Sequence, residues 1–435
     1  MRARLLFVGD IHLGRAPARI PPALEDYGIT ARSCGPAAAW EHTVRHAVRE
    51  VPDAVVLAGD VVESDNARFE AYRHLARGVE QLVAAGIAVC GVTGNHDVEA
   101  LPRLARAVDA FRLLGAHGTW STHTITRDGH PLLRIAGWSF PRRVHPDRLP
   151  LDTFPAAGDV PVIGVAHCDL DAAESPYAPV SRHALARTGA AGWFLGHVHS
   201  PDLVPGPQPI GYLGSLVGLD PTEAGRRGPW WVEVGEDGRI TRLEHLPLAP
   251  LRWEAIDVAV DADLDPDDLL DFLGKAVRER ATALGAEELA EVRVLGVRIR
   301  LAGRVRAHRR LATQLAELTR EPLVIPLGER AAFLDRVVDD TAPAVELGAL
   351  AEGGDPLALL VRDLLALEAR DERGVELIRA AAGRFQAVAN RPQFAPCGTG
   401  WHPDDEAIRT LLLRAGRRAL ESLLAQRAAP KGSQA

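Results

Sequence analysis

Short apolar runs, each stopping abruptly at a polar motif, alternate along the first half of this chain with stretches whose apolar residues recur every three or four positions. Leu5 to Val8, Ala54 to Leu57, Ala88 to Val92, Val162 to Ala166 and Trp193 to Leu195 have the length and branching of buried strands. Between them, Trp40, Thr43, Val44, Ala47 and Val48 fall on one helical face, and Phe69, Tyr72, Leu75, Val79 and Leu82 on another. Strand and helix alternation predicts an α/β sheet, and sheets of that kind gather ligating residues just past the carboxyl ends of their strands.

The motifs at those strand ends are Asp10-x-His12, Gly59-Asp60, Gly94-Asn95-His96-Asp97, His167 and Gly196-His197-Val198-His199. Together they offer oxygen and imidazole donors for two metal ions. A two-metal hydrolase holds its ions roughly 3.5 to 4 Å apart, so one carboxylate must bridge them. Asp60 is the expected bridge, with Asp10, His12 and His199 on one ion and Asn95, His167 and His197 on the other. A donor set without thiolate suits Mn, Mg, Fe, Zn or a similar divalent ion. Two anionic ligands against two dications leave a net positive cluster that attracts phosphate and lowers the pKa of bound water, making hydroxide the expected nucleophile. His96 is the motif histidine left over. It is assigned as the general acid that protonates the leaving oxygen, with Asp97 as the carboxylate behind it.

These motifs resemble the calcineurin-like metallophosphoesterase superfamily. Gly9-Asp10-Ile11-His12-Leu13-Gly14 and the run Tyr212 to Leu216 further resemble its SbcD-type DNA repair exonucleases. The resemblance covers about the first 245 residues. It implies an α/β fold with a metallophosphoesterase β-sandwich flanked by helices (residues 1–250), then a smaller α+β capping domain (251–350) and C-terminal helices (351–435). It also implies that Asp10, His12, Asp60, Asn95, His167, His197 and His199 bind two divalent metal ions, Mn first among them, and that His96 is catalytic. The expected activity is cleavage of phosphodiester bonds in DNA, as exonuclease or endonuclease. An SbcC-like coiled-coil ATPase and a second copy of the chain are the implied partners. Fold and ligands do not choose the substrate, so a phosphoesterase of nucleotides or other small phosphoesters, and a mainly scaffolding subunit of an ATPase-nuclease complex, stand as alternatives.

Composition narrows the setting. The 435 residues suffice for a catalytic core and one or two appendages, and no run has the length of a secretory h-region or a membrane span, so a cytoplasmic protein is expected. Cys34, Cys90, Cys168 and Cys397 are scattered without a C-x-x-C pair, which argues against a disulfide framework or structural zinc site. A net charge of -8 excludes a protein that wraps nucleic acid over its whole surface; binding must be local. The cations are almost all arginine, whose planar fork grips phosphate at two points. Arg142 and Arg143, beside His145 and Arg148 after the strand Leu132 to Trp138, are placed at the rim as substrate-binding candidates. Arg293, Arg298, Arg300, Arg304, Arg306, Arg309 and Arg310 form a longer basic stretch that reads as a solvated face or a backbone contact. Few aromatics accompany either, so DNA contact should be phosphate-directed and independent of sequence. The polar loop Pro221 to Gly228 is expected to line the substrate path.

Beyond the hairpin Trp230 to Leu246, Pro247 and Pro250 mark a linker. Trp253 to Val260 predicts a strand, Pro266 to Leu284 a helix, Val292 to Leu301 a strand closed by a turn at Gly303, His308 to Leu318 a helix, and Leu323 to Pro326 a strand. Asp355-Pro356 opens a helix with a leucine-rich face, and another runs from Asp404 or Asp405 through Leu423. A disordered tail is expected from Ala428.

Overall fold

The computed structural model describes residues 3–63, 68–108, 110–155, 158–318, 323–344, 347–389 and 403–428. Cys397, residues 429–435 of the expected tail and the side chain of Phe69 lie outside the described residues. The chain divides into two compact units. The first holds Met1–Ile256, Leu273–Ile299 and Thr319–Val337; the second holds Asp257–Phe272, Arg300–Leu318 and Val338–Ala435.

The first 250 residues give β1 (Ala3–Val8), α1 (Pro36–Glu50), β2 (Ala54–Ala58), α2 (Arg68–Ala84), β3 (Ala88–Val92), α3 (Ala100–Ala107), β4 (Phe111–Leu113), β5 (Trp120–Arg127) and β6 (His130–Trp138). They continue with β7 (Val162–His167), α4 (Arg182–Ala186), β8 (Gly192–Gly196), β9 (Ile210–Tyr212), β10 (Trp230–Val234) and β11 (Ile240–His245). A six-stranded sheet runs β11-β10-β1-β2-β3-β4, and a five-stranded sheet runs β5-β6-β7-β8-β9. Strands β1 to β4 are mutually parallel, as are β6 to β9, so the carboxyl ends within each group share one edge.

The two sheets pack face to face. Leu5, Phe7, Val56 and Val92 from one meet Ile135, Ile163, Val165 and Phe194 from the other, all fully buried, and Phe7 stacks on Phe194 with ring centroids 4.0 Å apart. Because side chains alternate across a strand, Leu6, Val8, Val55 and Leu57 point the other way, onto Trp40, Val44, Leu75 and Val79 of α1 and α2. The strands read as unbroken apolar runs because both faces are covered. The sequence thus yields the expected sandwich with helices outside.

The rest of the chain forms β12 (Leu251–Val260), α5 (Leu269–Glu288), β13 (Val294–Val305), α6 (His308–Leu318), β14 (Val324–Leu327) and β15 (Arg330–Pro343), with a four-stranded sheet in the order β12-β13-β15-β14. Gly303 lies inside β13 rather than at a turn after it. Its φ of 145° and its close approach to the Val260 carbonyl demand a residue without Cβ. The second unit also contains α7 (Leu347–Ala351), α8 (Pro356–Ala369), α9 (Glu372–Ala389) and α10 (Asp405–Ala428), which share a core of Leu357, Val361, Leu364, Ile378, Ile408 and Leu420. The Asp355 carboxylate caps α8 by accepting the Ala358 N–H at 2.9 Å. No helix among the described residues is long and apolar enough to cross a membrane.

Candidate metal centre

Each motif leaves the end of a parallel strand. Asp10 and His12 follow β1, Asp60 follows β2, Asn95 to Asp97 follow β3, His167 ends β7, and His197 and His199 follow β8. The neighbouring packing of β2 against β7 and β8 brings the two sheets' contributions to one rim. Three of the residues sit at positive φ: His12 at 55°, Asp60 at 47° and His197 at 103°. Such conformations cost about 1 to 3 kcal/mol each and persist where the surroundings impose them. Here the surroundings are main-chain bonds between motifs. Ile11 and His12 donate their N–H groups to the Asp60 carbonyl, and the His197 N–H donates to Asp10 Oδ1 at 3.0 Å.

The Asp60 carboxylate is the hub. Its Oδ1 accepts the His96 N–H at 2.9 Å, while its Oδ2 lies 3.3 Å from His167 Nε2 and 3.9 Å from His12 Nε2. Asn95 Oδ1 is 3.0 Å from His167 Nε2, and His12 Nε2 faces His199 Nε2 at 3.1 Å. Donor atoms of Asp10, His12 and His199 lie within 4.8 Å of one another, as do those of Asp10, Asp60 and His167. Burial would raise the Asp60 pKa, but the His167 charge and hydrogen bond, with His12 and His96, hold it well below the usual carboxylate range. Reciprocally, burial pulls His167 down and the charge and hydrogen bond of Asp60, then Asp10 and Asp97, carry it up to about 9. The residues fit a pair of cations: anionic and imidazole donors converge in a buried space where, without a positive centre, they are left to bond one another.

A second layer of acceptors, marked by no motif, fixes the imidazoles. Glu63 takes His12 Nδ1 at 3.3 Å on one oxygen and His96 Nδ1 at 3.0 Å on the other. Glu223 takes His199 Nδ1 at 2.9 Å, Asp169 lies 3.2 Å from His197 Nε2, and the Ala58 carbonyl is 3.2 Å from His167 Nδ1. One ring nitrogen of each histidine is thereby occupied, and for His12, His167 and His199 the other, Nε2, faces the convergent donors, which is how metal-binding histidines are held. The hydrogen bond from His12, with His96 next, brings Glu63 down to about 2.

Two expectations need correction. The carboxylate behind His96 is Glu63, not Asp97. Asp97 is fully buried and accepts the main-chain N–H groups of Val61 (2.7 Å) and Gly94 (2.8 Å), so it ties the β2 and β3 loops together. Burial and then the charge of Asp60 push it up to about 8. The loop Pro221 to Gly228 does not present free arginines: Arg226 pairs with Glu288 and Arg227 is buried. Its contribution is Glu223, which also accepts the Ser215 hydroxyl at 2.8 Å. The run Tyr212 to Leu216 likewise buttresses the rim, Leu216 N–H donating to the Asp10 carbonyl and Ser215 N–H to the His199 carbonyl. Arg142 and Arg143 are exposed and line a cleft with Thr93 and Val98, the residues flanking the β3 motif.

The family profile of the calcineurin-like phosphoesterases matches residues 3–201, from the first strand to just past His199. This segment is a calcineurin-like phosphoesterase domain. The chain is 28% identical over 231 residues to an uncharacterised metallophosphoesterase, YhaO, of Bacillus subtilis, covering 51% of this chain and 55% of that one. It is 26% identical over 272 residues to the DNA double-strand break repair protein Mre11 of Aeropyrum pernix, covering 59% and 64%. The match therefore spans little more than half to under two thirds of those relatives. Among solved structures, TT1561 of Thermus thermophilus (14% identity, TM-score 0.32) covers 56% of this chain and 98% of its own. A dimetal phosphatase from Danio rerio (16%, TM-score 0.34) covers 55% and 96%.

Proposed function

We propose that the chain is a two-metal phosphodiesterase whose substrate is DNA, cut as exonuclease or endonuclease in repair. The observation that carries the hydrolase reading is Asp60 Oδ2, which faces His12 on one side and His167 on the other. Asp10, His12 and His199 would hold one divalent ion, and Asn95, His167 and His197 the other, with Asp60 shared. Once bound, such ions lower the pKa of water and offset phosphate charge.

The protein's own part is orientation and proton delivery. His96 is 37% exposed, against 26% for His199, 17% for His197 and 1% or less for His12 and His167, so His96 is the imidazole most open to a substrate. Its Nδ1 is engaged by Glu63, and Nε2 is the atom that gives a proton to the leaving oxygen as the phosphorus-oxygen bond breaks. Asp97 acts one step back, holding the loop that carries Asn95 and His96. The likeness to Mre11, a DNA double-strand break repair protein, favours DNA over small phosphoesters, and the oxygen and imidazole donors suit Mn as the working ion. In this reading residues 1–250 are the nuclease part and 251–350 a capping domain. Residues 351–435 would dock a coiled-coil ATPase; Leu359 and Leu411, large and exposed on those helices, support that assignment.

The test is a substrate panel of DNA ends, hairpins, nucleotides, a small phosphodiester and phosphoproteins across Mn, Mg, Zn and Fe, beside His96→Ala. Cleavage of DNA with Mn, reduced at least about 100-fold in the variant, is the expected result. Activity confined to phosphoproteins would overturn the DNA assignment.

A further inference from the structure

In the basic stretch singled out from the sequence, Arg298 pairs with Asp335, Arg300 with Asp340, Arg304 with Glu368, Arg306 with Asp263 and Arg310 with Asp267. Five of the seven arginines of that stretch are thus paired with acids, which leaves it little net field for a ligand.

The cleft beside the β3 motif is different. About 670 Å³ in volume, it is lined by Arg103 and Arg106 of α3, Arg112 of β4, and Arg142 and Arg143 after β6, against one lining carboxylate among the described residues, Glu99. All five arginines are exposed, and Arg103, Arg106, Arg112 and Arg142 form no ion pair with any described residue. Holding that many like charges around one concavity is unfavourable unless an anion offsets them, and a concavity lined by one sign of charge concentrates counter-ions. Thr93, Val98 and Phe140 also line it. Thr93 and Val98 bracket the segment carrying Asn95 and His96, and the Phe140 ring lies 5.9 Å from that of His167, so the cleft adjoins the candidate centre. Phe111 and Phe140 are buried, so among the described lining residues His117 is the one exposed ring, and successive bases find no run of aromatic faces on which to stack.

We infer that this cleft binds the phosphate backbone of a nucleic acid strand beyond the bond to be cut, through Arg103, Arg106 and Arg112 together with Arg142 and Arg143. The inference rests on the phosphodiesterase reading and adds to it a site on α3 and β4. The volume lies within the roughly 300 to 1,000 Å³ of small-ligand pockets, which is room for a few nucleotides of one strand. Contacts to phosphate alone make the binding indifferent to base identity.

The test measures binding without turnover. Fluorescence anisotropy with a labelled 20-nucleotide oligothymidylate in EDTA, over a salt series, compares the full chain with R103Q/R106Q/R112Q and with the control R306Q/R310Q. Each phosphate contact on a single strand contributes about 0.7 to the slope of log affinity on log salt, so three lost contacts should cut the slope by about 2 and weaken binding at least about tenfold. The control should match the parent. An unchanged slope in the triple variant, equal losses in both variants, or no binding by the parent protein would each overturn the site. Since EDTA removes turnover from the measurement, a failure of the hydrolase reading would show only in the substrate panel.

Discussion

Glu63 holds two imidazoles at once, one on each carboxylate oxygen, so changing it disturbs the centre without touching any of the seven expected ligands. Glu63→Gln preserves size but loses the charge that fixes both rings. Because partners of this kind usually matter 10- to 100-fold, kcat on a phosphodiester with Mn should fall by about that factor; steady-state kinetics showing no change would remove Glu63 from the machinery. Gly94 tests packing. A Cβ there would collide with Asp60 Oδ1, so Gly94→Ala should displace the hub carboxylate and abolish measurable cation binding in titration calorimetry, with the circular dichroism of the folded chain retained. The motif residues were legible because short spacings such as Asp10-x-His12 and His197-x-His199 are informative in themselves. Glu63, Asp169 and Glu223 were not, since a single carboxylate among 58 acidic residues has no spacing to distinguish it. The adjacency of Asp97 to His96 in sequence misled because the backbone turns between them and sends Asp97 inward.

Among the elements, buried strands and capped helices announced themselves, while those that depend on distant partners did not. Strand β15 went unread because Asp335, Asp339 and Asp340 break its alternation; two of these acids are paired with Arg298 and Arg300 of β13, remote in sequence. Helix α9 went unread because Gly374 and Gly383 dilute its propensity, yet a Cβ at Gly374 would strike the Ala366 carbonyl, so the close approach to α8 requires glycine there. The cap that was legible makes a prediction: Asp355→Ala should cost about 1 kcal/mol, read as a lower denaturation midpoint, and an unaltered midpoint would count against it. Strand β11 makes another. His245 stacks on Trp230 at 4.5 Å, and burial, then the charge of Arg226, lowers its pKa from 6.5 to about 3. A depressed folded pKa means the unfolded chain binds the proton first, so this contribution is intact above about pH 6.5 and is lost as pH falls towards 3. Melting curves between pH 7 and 5 should therefore decline less steeply in His245→Gln than in the parent protein; parallel declines would refute the assignment.

For the whole molecule, cation binding and stability are linked. An ion that binds only the folded state at 100 times its dissociation constant adds about 2.7 kcal/mol. Calorimetric melting with and without Mn should show an upward shift of that order, cancelled by EDTA and absent in Asp60→Asn. A shift that survives in Asp60→Asn would place the ions elsewhere. The fold class and the strand-end rim could be read from the sequence because they follow from local periodicity. The two units could not be traced, since each is assembled from three separated segments of chain.

The bond from the His197 main chain to Asp10 joins residues 187 positions apart, and Glu223 reaches back from still further along. During synthesis, the first-made motif waits for the last. A chain interrupted before residue 223 carries all seven donors but lacks the carboxylate that holds His199, so completion of the centre depends on chain made well after its last donor.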